Sequence, residues 1–96
     1  MKPSMALQQH REEVLNIALK YRVQNVRVFG SALHGDDTEE SDLDLLVDTT
    51  PATTLMDIGA IRYELRKLLG ITVDVLTPKA LPLNFRDKVL KEAQQV

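Results

Sequence analysis

Two short apolar runs that carry carboxylates where a strand normally keeps none, DLDLLV at residues 42–47 and ITVDVL at 71–76, constrain this chain more than any other feature. Side chains alternate between the faces of a strand, so Leu43 and Leu45 point away from Asp42 and Asp44. Leu46 and Val47 bring apolar content to both faces, as in a covered strand. Asp74 stands alone among apolar and β-branched neighbours. Two carboxylates about 4 Å apart at an effective dielectric near 20 repel by roughly 4 kcal/mol, so a fold that keeps them supplies a counter-charge or shares a proton. Asp-x-Asp alone is weak evidence, because 8 aspartates in 96 residues give roughly 0.6 such pairs by chance.

The rest of the pattern places these runs in a fold. Apolar spacing from Leu7 through Val14, Ile17, Ala18 and Tyr21 predicts one helix over about residues 4–21, with Ser4 as its N-cap and His10 on the surface. NVRVFGS predicts a short strand ended by Gly30, and SALHGDDTEES, residues 31–41, a solvated connection. Leu55, Ile58, Ile61, Leu65 and Leu68 mark a helix over about 53–69, opened by a Thr54–Asp57 capping box and closed by Gly70. A third strand, 71–76, and a last helix near 84–94 follow, with Leu81, Leu83, Phe85, Val89 and Leu90 as core or as a partner-binding patch. The order predicts an α/β (α+β) fold: a small mixed sheet of about three strands with helices packed mainly on one face. Strands one and two form an antiparallel pair, and the helix between two and three suits a right-handed parallel crossover.

Size and charge narrow the function. A chain of 96 residues buries roughly 60–65% of its unfolded surface, enough for one core, so residues 1–96 are expected to be a single domain without a second, substrate-binding one. The net charge of −2 lacks the clustered basic excess of nucleic-acid binding, and no apolar run is long enough for a membrane span. With no signal-like N-terminus the expectation is a cytoplasmic protein. Zero cysteines remove disulfides and thiolate metal sites.

If the third strand lies beside the second, Asp74 joins Asp42 and Asp44 on one sheet face. Three carboxylates without thiol or histidine pair are hard oxygen ligands suited to Mg²⁺, or Mn²⁺, and two such ions would offset their charge. Gly30-Ser31, expected at the same edge, would let backbone amides and a hydroxyl approach a phosphate. Together these features describe phosphoryl or nucleotidyl transfer. Arg27, Arg62, Arg66 and Lys67 could face a triphosphate or a partner, with a solvated helix face the favoured expectation for the last three; the acidic run Asp36, Asp37, Glu39 and Glu40 is expected to be solvated loop rather than a surface that meets a basic partner.

FGSALHGDDTEESDLDLLV, residues 29–47, resembles the signature of the polymerase-beta-like nucleotidyltransferase superfamily, in which Gly-Ser precedes Asp-x-Asp, and the Asp of VDVL matches as well. The short chain looks like the minimal nucleotidyltransferases, commonly the antitoxin of a pair with a HEPN-domain RNase toxin. The resemblance implies that Gly30 and Ser31 bind the phosphates of ATP, that Asp42 and Asp44 hold both metals, and that Asp74 completes one metal site and helps activate the acceptor. It implies transfer of AMP from ATP to a hydroxyl, a tyrosine on the partner toxin, within a complex of the two proteins. His34 stands where many relatives carry an arginine, so its phosphate contact is weighed equally against a solvated loop residue. The alternative is a non-catalytic antitoxin that neutralises its toxin by binding. A small-molecule adenylyltransferase of the aminoglycoside type ranks below both, because those enzymes resemble this fold with an added domain.

Overall fold

The alternation of Leu43, Leu45 and Val47 with Asp44, Leu46 and Asp48 makes one strand the spine of the computed structural model, which describes residues 1–96. The elements in chain order are α1 (Pro3–Gln9), α2 (Arg11–Leu19), β1 (Val23–Phe29), α3 (Ser31–His34), β2 (Leu43–Thr49), α4 (Leu55–Leu69), β3 (Val73–Leu76), a 3₁₀ turn (Pro78–Ala80), α5 (Leu83–Glu92) and β4 (Gln94–Gln95). The sheet order is β3-β2-β1-β4, with β2 antiparallel to β1 and parallel to β3, and β4 antiparallel to β1. No helix is long and apolar enough to cross a membrane.

The two sheet faces differ. One presents Val28, Leu43, Leu45, Val47, Val73 and Val75 to Leu7, Val14, Ala18, Ile61 and Leu65 of α1, α2 and α4, which forms the main core. The other carries a smaller cluster of Phe29, Leu46 and Leu81, against which Leu76, Val89 and Ala93 pack. Helices thus dominate one face, and α5 covers part of the second.

Four local differences from the sequence expectation have physical causes. The first helix is two, broken at His10, whose backbone (φ −121°, ψ 26°) leaves the helical region and lets Leu7 and Val14 both reach the core. Lys2, not Ser4, occupies the N-cap, because the Ser4 amide and hydroxyl are given to Asp37 Oδ2 and Oδ1 at 2.7 and 3.1 Å. A fourth strand appears because the chain leaves α5 along the free edge of β1, where the Val96 amide donates to the Val26 carbonyl at 3.1 Å. Of the C-terminal apolar residues only Leu81 is buried: Leu83 is 80% exposed, and Phe85 and Leu90 are also exposed, because the second face has only a small apolar cluster to cover.

The crossover helix follows its sequence signals. Thr54 Oγ1 accepts from the Asp57 amide at 3.2 Å and the Thr54 amide donates to Asp57 Oδ2 at 2.9 Å, a reciprocal capping box. Asp57 also receives Arg22 Nη1 at 2.9 Å, which ties the helix start to the turn before β1. Gly70, at φ 69°, ends the helix in the left-handed region. Ile61 and Leu65 are buried, whereas Leu55, expected on the same stripe, is 91% exposed in the first turn. Replacing Thr54 by alanine is expected to lower stability by about 1 kcal/mol, read as a reduced urea midpoint at unchanged slope.

Candidate active site

Strand register brings Asp44, Asp74 and the Gly30 turn together from three elements. Phe29 pairs with Asp44 across β1 and β2, and Asp44 pairs with Asp74 across β2 and β3. Paired residues on adjacent strands share a face, so the two carboxylates are neighbours at one end of the sheet, beside the point where β1 gives way to Gly30. Asp42, exposed, lies two residues before Asp44 in the loop that enters β2; the strand itself begins at Leu43.

Gly30 is matched closely to this arrangement. Its backbone, at φ 74° and ψ −152°, lies in a region open essentially to glycine alone. A Cβ added there would meet Asp44 Oδ2 at 2.5 Å, closer than real Cβ contacts come. The turn therefore passes directly against the carboxylate, and Ser31 opens α3 beside it. The loop expected over 31–41 thus begins with one turn of helix, whose amides at Leu33 and His34 both donate to the Gly30 carbonyl.

The electrostatics show an excess of negative charge. Burial, then the charge of Asp74 and then that of Asp42 push the Asp44 carboxyl up to about 6. The one cation touching the group is Arg66, whose Nη2 lies 3.5 Å from Asp74 Oδ1 while its Nε donates to the Val73 carbonyl at 3.0 Å. Arg66, exposed as expected of a solvated face, also braces β3 from α4. No three carboxylate or imidazole side chains close on a common point as a ready-made metal cage. The donor set nonetheless fits a hard divalent cation: carboxylate oxygens only, with burial first and the charges of Asp74 and Asp42 after it disfavouring the bare anion at Asp44.

His34 is turned to another partner. Its Nε2 lies 3.1 Å from Glu92 Oε2, linking α3 to α5. Phe29, Gly30, Ser31 and His34 form one wall of a cleft of ≈ 430 Å³ closed by Phe85, Lys88 and Glu92 of α5. Asp42, Asp44 and Asp74 lie outside that lining. Two residues escaped the sequence reading. Asp37, taken for solvated loop, is 4% exposed, and Arg66 reaches Asp74 from a different element. No local pattern links residues 33 and 8 positions from their partners, Ser4 and Asp74.

Comparisons with known proteins find relatives over most of the chain. The nucleotidyltransferase domain model matches residues 7–96. A relative in Methanocaldococcus jannaschii, provisionally named a protein adenylyltransferase, is 34% identical over 96% of this chain and 99% of its own. The protein adenylyltransferase MntA of Thermococcus cleftensis is 31% identical, covering 91% of this chain and 85% of its own. A solved structure provisionally described as a minimal nucleotidyltransferase is 38% identical, with a TM-score of 0.86 over 97% of this chain and 95% of that one. A toxin–antitoxin solved with AMP-PNP shares the fold, with a TM-score of 0.73 at 17% identity over 88% of this chain and 69% of that one.

Two outcomes are expected. The folded state holds a proton on Asp44 up to about pH 6, whereas the unfolded chain releases it near the ordinary 3.8. Stability without metal therefore falls as pH rises from about 4 to 6 and then levels, by on the order of 1–2 kcal/mol after solvent screening. Asp44→Asn should remove that fall in urea titrations across this range. Gly30→Ala should cost about 1–3 kcal/mol from backbone strain and displace the Asp44 carboxylate, with nucleotidyl transfer per folded molecule reduced at least tenfold.

Proposed function

This chain belongs to the nucleotidyltransferase domain family, and we propose that as a single-domain enzyme over residues 1–96 it transfers AMP from ATP to a tyrosine hydroxyl of a HEPN-type toxin, acting as the antitoxin. The observation that carries the reading is the in-register Asp44–Asp74 pair, with the Gly30 turn packed against Asp44. Relatives named protein adenylyltransferases support AMP as the group moved, and the toxin–antitoxin neighbour with AMP-PNP motivates the toxin and the nucleotide.

In the reaction the acceptor oxygen attacks the α-phosphorus of ATP, the bond from that phosphorus to the bridging oxygen of the β-phosphate breaks, and pyrophosphate leaves. Asp42 and Asp44 would hold two Mg²⁺ or Mn²⁺ ions, and Asp74 would complete one of the sites. Bound there, the ions would neutralise triphosphate charge and polarise the reacting phosphorus. Gly30 and Ser31 bind the phosphates through backbone amides and the hydroxyl, and His34, near them in the cleft, would add a contact on leaving Glu92. The Asp74 carboxylate takes the proton of the attacking hydroxyl, steadied by Arg66. The acceptor would arrive on the partner toxin, a reading supported by the toxin–antitoxin neighbour.

A second reading, neutralisation by binding alone, is favoured by Leu83 and Leu90, exposed on one side of α5 and available to a partner. The two separate in one experiment. Purified protein with labelled ATP, Mg²⁺ and a co-encoded toxin should label the toxin, and Asp42→Asn with Asp44→Asn should lower labelling at least a hundredfold and abolish neutralisation. Equal labelling by the double variant would sink the catalytic assignment, whereas neutralisation without labelling would establish binding alone.

A further inference from the structure

Residues 35–42 join the two halves of the site, from the end of α3 to Asp42, and most of this segment faces solvent. Its internal bonds are local. The Asp36 amide donates to the Ser31 carbonyl at 3.1 Å, and between Thr38 and Ser41 the Thr38 amide donates to Ser41 Oγ at 2.9 Å while the Ser41 amide donates to the Thr38 carbonyl at 3.1 Å. These bonds shape the loop but do not fix it to the body of the protein. Two contacts do: an exposed one, the Met1 ammonium 4.0 Å from Glu39 Oε1, and a buried one at Asp37, which is 4% exposed and accepts the Ser4 amide at 2.7 Å and the Ser4 hydroxyl at 3.1 Å, from the first turn of α1. Burial pushes its carboxyl up, but the bonds from Ser4, from its own amide and the charge of Lys2 outweigh that and hold it below the ordinary value. A carboxylate buried while charged is unfavourable unless hydrogen-bonded in this way, so a loop with no positional demand would leave it in water.

We propose that Asp37 is a positioning residue, which clasps the loop to α1 and so fixes Asp42 relative to Gly30-Ser31. Only the kinetic part of this proposal rests on the transfer reading above. The clasp acts on orientation, where small misplacements lower turnover steeply.

The test uses the full chain carrying Asp37→Asn, Asp37→Ala or Ser4→Ala, with amide hydrogen exchange followed by NMR and steady-state AMP transfer measured well below each variant's melting temperature. In Asp37→Ala, exchange should accelerate at least tenfold at residue 4 and residues 36–43, with β2 beyond Leu43 and α4 unchanged, and Asp37→Asn, which keeps one acceptor oxygen, should show a smaller acceleration at the same residues. The kcat per folded molecule should fall about tenfold, with KM for ATP within threefold. Ser4→Ala, which keeps the amide bond, should show a smaller loss of both kinds. Unchanged loop exchange in Asp37→Ala, or a loss of rate no larger than the unfolded fraction, would overturn the proposal. If the wild-type chain transfers no AMP, the functional reading fails, and hydrogen exchange alone then decides whether the clasp exists.

Discussion

The contact on which the site depends is the passage of the Gly30 backbone against the Asp44 carboxylate. A side chain of any size at position 30 would occupy the space of Oδ2, and the backbone angles there suit no other residue. This close approach sets where α3 begins, because the turn must leave β1 at that point and in that direction. It also sets where Ser31 stands relative to β2. The antiparallel register of β1 with β2 and the parallel register of β2 with β3 then carry the arrangement across to Asp74 without further devices.

Two carboxylates on one loop-and-strand segment illustrate how environment divides chemically identical groups. Asp37 is buried among donors and is held charged, below its ordinary range. Asp44 is partly buried among other carboxylates and is pushed up to about 6. The difference is the partner set: hydrogen-bond donors favour the charged form, while like charges and lost water oppose it. Such a separation of neighbouring titratable groups is how structural and chemical roles are distinguished on one short stretch of chain.

Much of this was legible from periodicity and punctuation. The alternation in DLDLLV, the capping box at Thr54, the glycine stop at Gly70 and the crossover between β2 and β3 all depend on nearest neighbours in sequence, and each is present as expected. Gly30, Ser31, Asp44 and Asp74 were likewise legible, because strand ends and strand faces place them. The break at His10 was not, since both halves of the helix keep apolar spacing and only the shape of the core separates them. The same holds for the fourth strand, a two-residue pairing of glutamines with no strand propensity of its own. The Ser4–Asp37 clasp and the Arg66–Asp74 contact unite residues far apart in sequence, and the exposed face of α5 reflects how little apolar sheet lies beneath it.

The sheet order gives the paired carboxylates unequal footing. Asp44 rides on β2, flanked on both sides by hydrogen-bonded strands, whereas Asp74 rides on four-residue β3 at the border of the sheet, held by one strand and by Arg66. Their mutual repulsion therefore acts between a carboxylate whose strand is hydrogen-bonded on both sides and one whose strand is hydrogen-bonded on one. The two halves of the site rest on different supports: Gly30 and Asp44 on β1 and β2, Asp74 on an edge strand braced from α4.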